Sequence, residues 1–524
     1  MNRNKSLQQL SNESVQWDFV VIGGGASGLG SAIDAASRGF KTLLLESHDF
    51  CKGTSSRSTK LVHGGVRYMA QGYIDLVREA LKERGLLSHN AAHLVKTQDF
   101  VIPNYTLWNS LLYAVGLTFY DFLSGKLSLG KTRLIGKKKT LKELPNIKAE
   151  GLRSGVVYTD GQFDDSRLGI NMAQTIDDLG ACAINYVEAT GFVKNAQGKI
   201  IGVKATDKLS GKEYTIHCKA VINATGVFAN DILNEDNPHH GKFIVPSQGI
   251  HIVLDKSFLL SDNAVMIPKT SDGRVLFIVP WHDKCLVGTT DTLVKDANYE
   301  PRALEKEIEF VMESAQMYLN KKPARKDVLS VFAGLRPLAA PKQEGKSTKE
   351  VSRSHKVVVH ESGMLTLTGG KWTSYRKMAE DVIDKAIEVH NLAKTACRTF
   401  NLSIHGNMDK KKVDRSSHLY VYGADIPQIK RIQQEKPEYA SKIHPNYGYT
   451  LAEVIWAVRE EMAQNVEDVL ARRVRLLFLD AQAAIDCAPK IASIIAQETG
   501  KDKDWEAAQV DEFTKLARNY LLDS

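Results

Sequence analysis

The apolar residues of this chain fall first into a short continuous block and then into a helical stripe. Residues 18–22 (DFVVI) are rich in Val and Ile and stop at Gly23-Gly24-Gly25, the pattern of a strand buried on both faces of a parallel sheet. Residues 26–38 place Ala, Leu and Ile at helical spacing, with Gly39 as the stop. Residues 41–45 are a second apolar run, ended by Glu46. Together these predict one βαβ unit.

Further along, residues 54–71 are rich in Ser, Gly and Arg and predict a long functional loop. Residues 73–94 are helical by pattern. Residues 107–123 are the most apolar long segment, interrupted by Asn109 and Asp121 and followed by Lys126, Lys131, Arg133, Lys137, Lys138 and Lys139. Such a segment is either a buried core helix or an amphipathic helix lying in a membrane interface; it is too short and too interrupted to span. Leu168, Met172, Ile176 and Leu179 share one face of a helix over 165–179, stopped by Gly180. Strand-like runs follow at 182–187, 199–206, 214–218 and 220–223, then at 251–254, 264–268, 274–280 and 285–290, with turns at 209–212 and 271–273. A hairpin at 357–360 and 365–368 precedes a helix over 374–389. Helical patterns dominate from 426 to 522, which predicts an all-helical domain after a boundary near 395–415.

Composition narrows the class. The 524 residues are 43% hydrophobic and 25% charged, as in ordinary globular proteins. Lys plus Arg is 69 against 61 Asp plus Glu, a net charge of +8 that suits an anionic substrate or surface without demanding nucleic acid. The basic run near Lys137 has no interleaved aromatics, so an RNA-binding protein is a poor reading. The six cysteines (Cys51, Cys182, Cys218, Cys285, Cys397, Cys487) form no CxxC pair, which fits a reducing compartment. Residues 1–16 are polar with no apolar signal region. No metal site is expected, since the scattered histidines, including His239-His240, lack supporting ligands.

The chemistry starts at Gly23-x-Gly25-x-x-Gly28. Gly23 permits the tight turn, Gly25 lets a pyrophosphate approach the backbone, and Gly28 lets helix and strand pack closely. The helix N-terminus offers free N–H groups to the phosphates, and Glu46 stands where a carboxylate binds ribose hydroxyls. A second strand-associated glycine signal, Ala224-Thr225-Gly226, occurs without a second GxGxxG. One nucleotide fold with a strand-rich insertion fits FAD better than NAD.

Residues 60–68 (KLVHGGVRY), 288–291 (GTTD), 334–338 (GLRPL) and 369–377 (GGKWTSYRK) resemble, in order, the motifs of FAD-dependent glycerol-3-phosphate dehydrogenases. The resemblance runs from about residue 17 to 390. It implies an α/β glutathione-reductase-like FAD-binding domain of Rossmann type, interleaved with an antiparallel β substrate domain and followed by an all-α domain. The corresponding spans are a tail at 1–16, a discontinuous FAD domain over 17–395 with the substrate domain mainly at 73–160 and 240–330, and the helical domain at 396–524. It also implies oxidation of sn-glycerol 3-phosphate to dihydroxyacetone phosphate, one non-covalent FAD per chain, and electrons passed to a quinone, or to oxygen in the oxidase branch. A cytoplasmic enzyme resting on an anionic membrane face, and a homodimer, are the expected settings. An amine or amino-acid oxidase of the same fold is the rival. The sequence departs from the family at Arg57, at Trp372, and at Gln248-Gly249-Ile250-His251, where a Ser-His pair is usual.

Expected cofactor contacts besides Gly23, Gly25, Gly28 and Glu46 are Ser55, Ser56 and Lys60 in the loop after Glu46. His63, Gly64 and Gly65 follow, then Val187, Ala224, Thr225 and Gly226, with Gly334, Gly369, Gly370, Lys371, Trp372 and Thr373 closing the set. A dianionic phosphate calls for planar guanidinium groups. Arg67, Arg336 and Arg353, lying in or beside the motifs, are the candidate clamp, with Tyr68 and Lys371 beside them. His63 suits removal of the hydroxyl proton or a hydrogen bond that positions the flavin. Lys371 suits holding phosphate or stabilising charge on the reduced flavin. With Arg336 these form the expected catalytic set. Asp291, Asp164 and Asp165 read as structural.

Overall fold

The structure is a computed structural model that describes the chain apart from residues 71, 242, 271–272, 340–354 and 523–524 and the side chains of Arg67 and Ala70. The expected turn at 271–273 and Arg353 therefore lie largely or wholly outside the described residues.

Two sheets lie at the centre. In the first, Trp17–Ile22 pairs in parallel with Thr42–Leu45 on one side and with Glu213–Asn223 on the other. Leu365–Thr368 and Cys182–Ile184 extend it in parallel at either side. Val20, Val21 and Leu44 are fully buried, the reason these runs show no polar alternation. Helix Ala26–Ser37 crosses from the first strand to the second and packs on helix Tyr375–Val389, so the initial βαβ unit is in place.

The second sheet is mostly antiparallel and 10-stranded among the described residues. Its backbone is the long pair Ile244–Asp255 with Val328–Ala339. Strands Lys96–Asn104 and Ser154–Gln162 join it from the earlier insertion. One sheet is thus assembled from segments far apart in sequence.

Three local findings differ from the pattern reading. The polar N-terminus forms helix Arg3–Leu10, with Leu10 buried and Arg3 paired to Asp207. The Ser/Gly-rich stretch 54–71 holds a short turn of 3₁₀ helix, Thr54–Ser56, a two-residue strand, Leu61–Val62, and helix Val66–Ala70. Tertiary contacts supply what local propensity lacks: Leu61–Val62 pairs with Gly161 and Gln162. Finally, the C-terminal helices share a continuous apolar core with the first sheet, in which Phe332 and Phe478 meet edge to face with ring centres 4.8 Å apart.

Helix Leu107–Ser124 turns its apolar side outward. Leu107 is 75% exposed, Trp108 72% and Phe122 78%, with Leu111, Leu112, Val115 and Phe119 also exposed, while Leu117 and Tyr120 face inward. No described helix is long and apolar enough to cross a membrane.

Candidate active site

A cavity of about 600 Å³ opens between the two sheets. The first part of its wall is the turn between Trp17–Ile22 and Ala26–Ser37. Gly23 has φ of +109°, and a Cβ there would lie 2.8 Å from the Ala224 carbonyl oxygen. A Cβ on Gly28 would lie 1.8 Å from the Gly23 carbonyl oxygen, so that glycine serves helix–strand packing rather than the cavity itself. Gly25 caps the helix without a side chain. The Ala26 N–H donates to Ser55 Oγ at 2.9 Å, the kind of oxygen a phosphate presents.

Glu46 lines the cavity, and its carboxylate already accepts from the Gly24 N–H at 2.6 Å and the His48 N–H at 2.8 Å. Burial outweighs those bonds and raises its pKa. Beside it, Phe228 and Tyr299 stack with ring centres 3.9 Å apart, and His48 lies 4.1 Å from the same Tyr299 ring. Sequence reasoning missed this aromatic group. Phe228 lies two residues after Gly226, whereas Tyr299 carries no local signal, because it sits in the loop between strand Thr292–Leu293 and helix Glu305–Tyr318. Val187, Ala224, Thr225 and Gly226 line the same region, as expected.

The loop after Glu46 divides. Ser55 faces the cavity, and Trp372 donates its indole N–H to the Ser55 carbonyl at 2.8 Å. Ser56 and Lys60 do not face it. Lys60 is wholly buried, donating to the Ser56 carbonyl at 2.7 Å and to Asp165 at 2.6 Å, and burial pulls its pKa down to about 7. Its expected role at the cofactor is corrected accordingly: an Asp165 carboxylate beneath the loop holds the ammonium away from the cavity. Gly64 likewise faces away from the cavity, packed on Leu81 and Tyr120. Arg57 does reach the wall, but its guanidinium is bound to Glu300 at 2.8 Å and to the Ala333 carbonyl at 3.2 Å.

The other part of the wall gathers the expected chemistry. His63, Gly65, Tyr68, Gly334, Arg336 and the run Gly369 to Thr373 all line it. Arg336 donates to the Thr290 carbonyl at 3.1 Å and to Thr289 Oγ1 at 3.2 Å, and lies 3.5 Å from Asp291. Gly249 makes room for it: a Cβ there would lie 2.4 Å from Nη2. Lys371 Nζ sits 4.1 Å from the centre of the Tyr68 ring. Burial, with Lys371 and Arg84 nearby, pushes the His63 pKa down to about 3, so its imidazole is neutral at pH 7. His251, noted in the sequence only as a departure, also lines the cavity. It stacks on Phe332 with ring centres 5.1 Å apart, meets Thr59 Oγ1 at 3.0 Å through Nε2, and is held neutral by burial, Lys60 and Arg336. Arg67 stands on helix Val66–Ala70 with its side chain outside the described residues, as Arg353 is altogether. Asp164 and Asp165 stay out of the cavity, where they bind Arg475, His282 and Lys60.

These residues fit a flavin dinucleotide: a helix terminus open to a pyrophosphate, a carboxylate and aromatic rings on one part of the wall, and neutral imidazoles with cations on the other. The comparisons agree. The family described as FAD dependent oxidoreductase matches residues 18–376, and the C-terminal domain of alpha-glycerophosphate oxidase matches 362–506. The probable mitochondrial glycerol-3-phosphate dehydrogenase of Dictyostelium discoideum is 38% identical, over 99% of this chain and 86% of that protein. The mitochondrial glycerol-3-phosphate dehydrogenase of Homo sapiens is 35% identical, over 99% and 75%. The crystal structure of glycerol-3-phosphate dehydrogenase from Bacillus halodurans, complexed with FAD, superposes with a TM-score of 0.81 at 28% identity, over 99% of this chain and 98% of that one. On this similarity along nearly its whole length, the chain belongs to the glycerol-3-phosphate dehydrogenase family of FAD-dependent oxidoreductases.

Proposed function

We propose that this enzyme oxidises sn-glycerol 3-phosphate at C2 to dihydroxyacetone phosphate and passes the electrons to a quinone at a membrane surface. The observation that carries the first half is the meeting, in one cavity, of Arg336 and Lys371 with two imidazoles held neutral, His63 and His251.

FAD, bound non-covalently, supplies the acceptor for a hydride at its N5. The chain's own residues do the rest. The N-terminus of helix Ala26–Ser37 and Ser55 would hold the pyrophosphate, and Glu46 would hold the adenosine ribose. Arg336, already oriented by Thr289, Thr290 and Asp291, grips the substrate phosphate with paired hydrogen bonds. Lys371 adds positive charge where the alcohol oxygen becomes a carbonyl. As the C2 hydride leaves, the hydroxyl proton passes to a ring nitrogen of His63, whose lone pair is free and whose basicity, low while only Lys371 and Arg84 are near, rises once the dianionic phosphate enters the cavity.

The membrane half rests on helix Leu107–Ser124. Its outward face exposes Leu107, Trp108, Leu111, Leu112, Val115, Phe119 and Phe122. Lys126, Lys131, Arg133, Lys137, Lys138 and Lys139 follow, all exposed. Apolar side chains beside a basic cluster match an anionic lipid surface. Two measurements test the reading. Enzyme reduced anaerobically with glycerol 3-phosphate is mixed with a short-chain quinone or with oxygen; faster reoxidation by oxygen would move the assignment to an oxidase. Flotation with anionic vesicles at low salt, absent with neutral ones, is expected, and failure to float removes the membrane half.

A further inference from the structure

Helix Leu107–Ser124 has an inner face as well as an outer one, and that inner face reaches the catalytic turn. Tyr120 is fully buried. Its hydroxyl accepts the Gly64 N–H at 2.7 Å and shares its own proton between the Asp160 oxygens at 2.9 and 3.1 Å. Burial and the Asp160 carboxylate raise the Tyr120 pKa well above its ordinary value, so the hydroxyl remains protonated and keeps this direction. Asp160 is fixed in turn by Arg84 at 2.6 Å and faces the cavity.

Besides the Tyr68 N–H, which donates to the Gly65 carbonyl at 2.9 Å, side chains fix the turn. The His63 N–H donates to Thr373 Oγ1 at 3.2 Å, and the next N–H, of Gly64, goes to Tyr120. Two consecutive amides are therefore pinned from opposite sides by side chains distant in sequence. Glycine is required at both following positions. A Cβ on Gly64 would lie 2.7 Å from the Tyr120 oxygen and 2.6 Å from Leu81. Gly65 has φ of +84°, and a Cβ there would lie 2.5 Å from the Tyr68 ring and 3.3 Å from Lys371 Nζ. The turn is pressed down onto Tyr120 while Tyr68 and Lys371 close over it.

We infer that Tyr120 is a positioning residue for substrate oxidation: through the Gly64 amide its hydroxyl sets where His63 stands relative to Lys371 and the substrate. This rests on the assignment of His63 and glycerol 3-phosphate made above. Without the hydroxyl, the Gly64 N–H is buried with no partner and the turn must shift to find one. Catalytic groups lose rate quickly on such displacements, whereas binding groups on other segments, such as Arg336, stay in place.

The test is stopped-flow flavin reduction by glycerol 3-phosphate in the holoenzyme and in Tyr120→Phe, which keeps the ring and its packing. The reduction rate should fall roughly 10-fold or more, with substrate dissociation constant and flavin content within about threefold of wild type. The pH profile of reduction should shift as His63 moves relative to Lys371 and Arg84. Thr118→Ala, which removes the exposed Thr118–Ala114 bond at 2.7 Å on the same helix without touching Tyr120 or the turn, should leave the rate unchanged. If Tyr120→Phe fails to retain flavin, 3-fluorotyrosine at position 120 keeps ring and hydroxyl but weakens the oxygen as an acceptor, and should slow reduction by a smaller factor. Wild-type reduction rates in these Tyr120 variants, or equal losses in Tyr120→Phe and Thr118→Ala, would overturn the inference. A wild-type enzyme that glycerol 3-phosphate does not bleach would instead overturn the substrate reading on which it rests.

Discussion

Trp372 and Ser55 join the two turns that close on the cavity: the indole N–H of one donates to the carbonyl of the other at 2.8 Å. Trp372 also meets Phe163 and Tyr375 edge to face, with ring centres 5.6 and 6.1 Å apart. Trp372 thus fastens the loop after Glu46 to the turn that carries Lys371. Trp372→Phe keeps the packing and loses the bond, at a cost of about 1 kcal/mol. The variant should bind FAD roughly fivefold more weakly, read from flavin release on dilution; unchanged release would make the bond incidental.

Gly25→Val should yield colourless protein. A Cβ at position 25 would stand 3.0 Å from Ser55 Oγ and fill the approach to the helix N-terminus. The flavin-to-protein absorbance ratio measures it, and normal flavin content would remove the pyrophosphate from this turn.

Arg336→Lys keeps the charge but loses the paired geometry that Thr289, Thr290 and Asp291 prepare. The loss in kcat/KM for glycerol 3-phosphate should be on the order of 2–4 kcal/mol, or about 30- to 1000-fold, with normal flavin content. With glycerol, which has no phosphate, the loss should be much smaller. Equal proportional losses on both substrates would point to a role at the flavin instead.

Much of the site was legible in the sequence because the flavin fold concentrates its chemistry in contiguous turns. The GxGxxG turn, Glu46 and the Gly369–Thr373 run each follow the end of a strand, and those ends converge on the cavity, while Arg336 projects into it from within strand Val328–Ala339. What was not legible depends on packing. Lys60 lies in the KLVHGGVRY run but is drawn under the loop by Asp165, a partner 105 residues away in sequence. Tyr299 enters on the loop after strand Thr292–Leu293 and Tyr120 on helix Leu107–Ser124, and nothing local marks either. For the helix at 107–123, periodicity marks an apolar face but carries no information about which side meets the core.

His405 links the body of the FAD domain to the C-terminal helices, bonding Asp178 through Nδ1 at 2.6 Å and Asp425 through Nε2 at 3.0 Å. Burial opposes its charge, but the two carboxylates win and raise its pKa to about 9. A raised pKa in the folded state means the stabilisation is fully present below the unfolded value near 6.5 and is lost as pH rises through about 9. His405→Gln should therefore lower Tm at pH 6 and leave it nearly unchanged at pH 10. Because Asp178 is half exposed, screening limits the effect to roughly 1–2 kcal/mol. An equal Tm loss at both pH values would refute the linkage.

Anaerobic titration of the purified yellow protein decides whether this cavity oxidises glycerol 3-phosphate. Each equivalent of glycerol 3-phosphate should bleach one flavin and yield one dihydroxyacetone phosphate, while glycine and proline leave the spectrum unchanged. A flavin that stays yellow with excess glycerol 3-phosphate but bleaches with an amino acid would contradict the account.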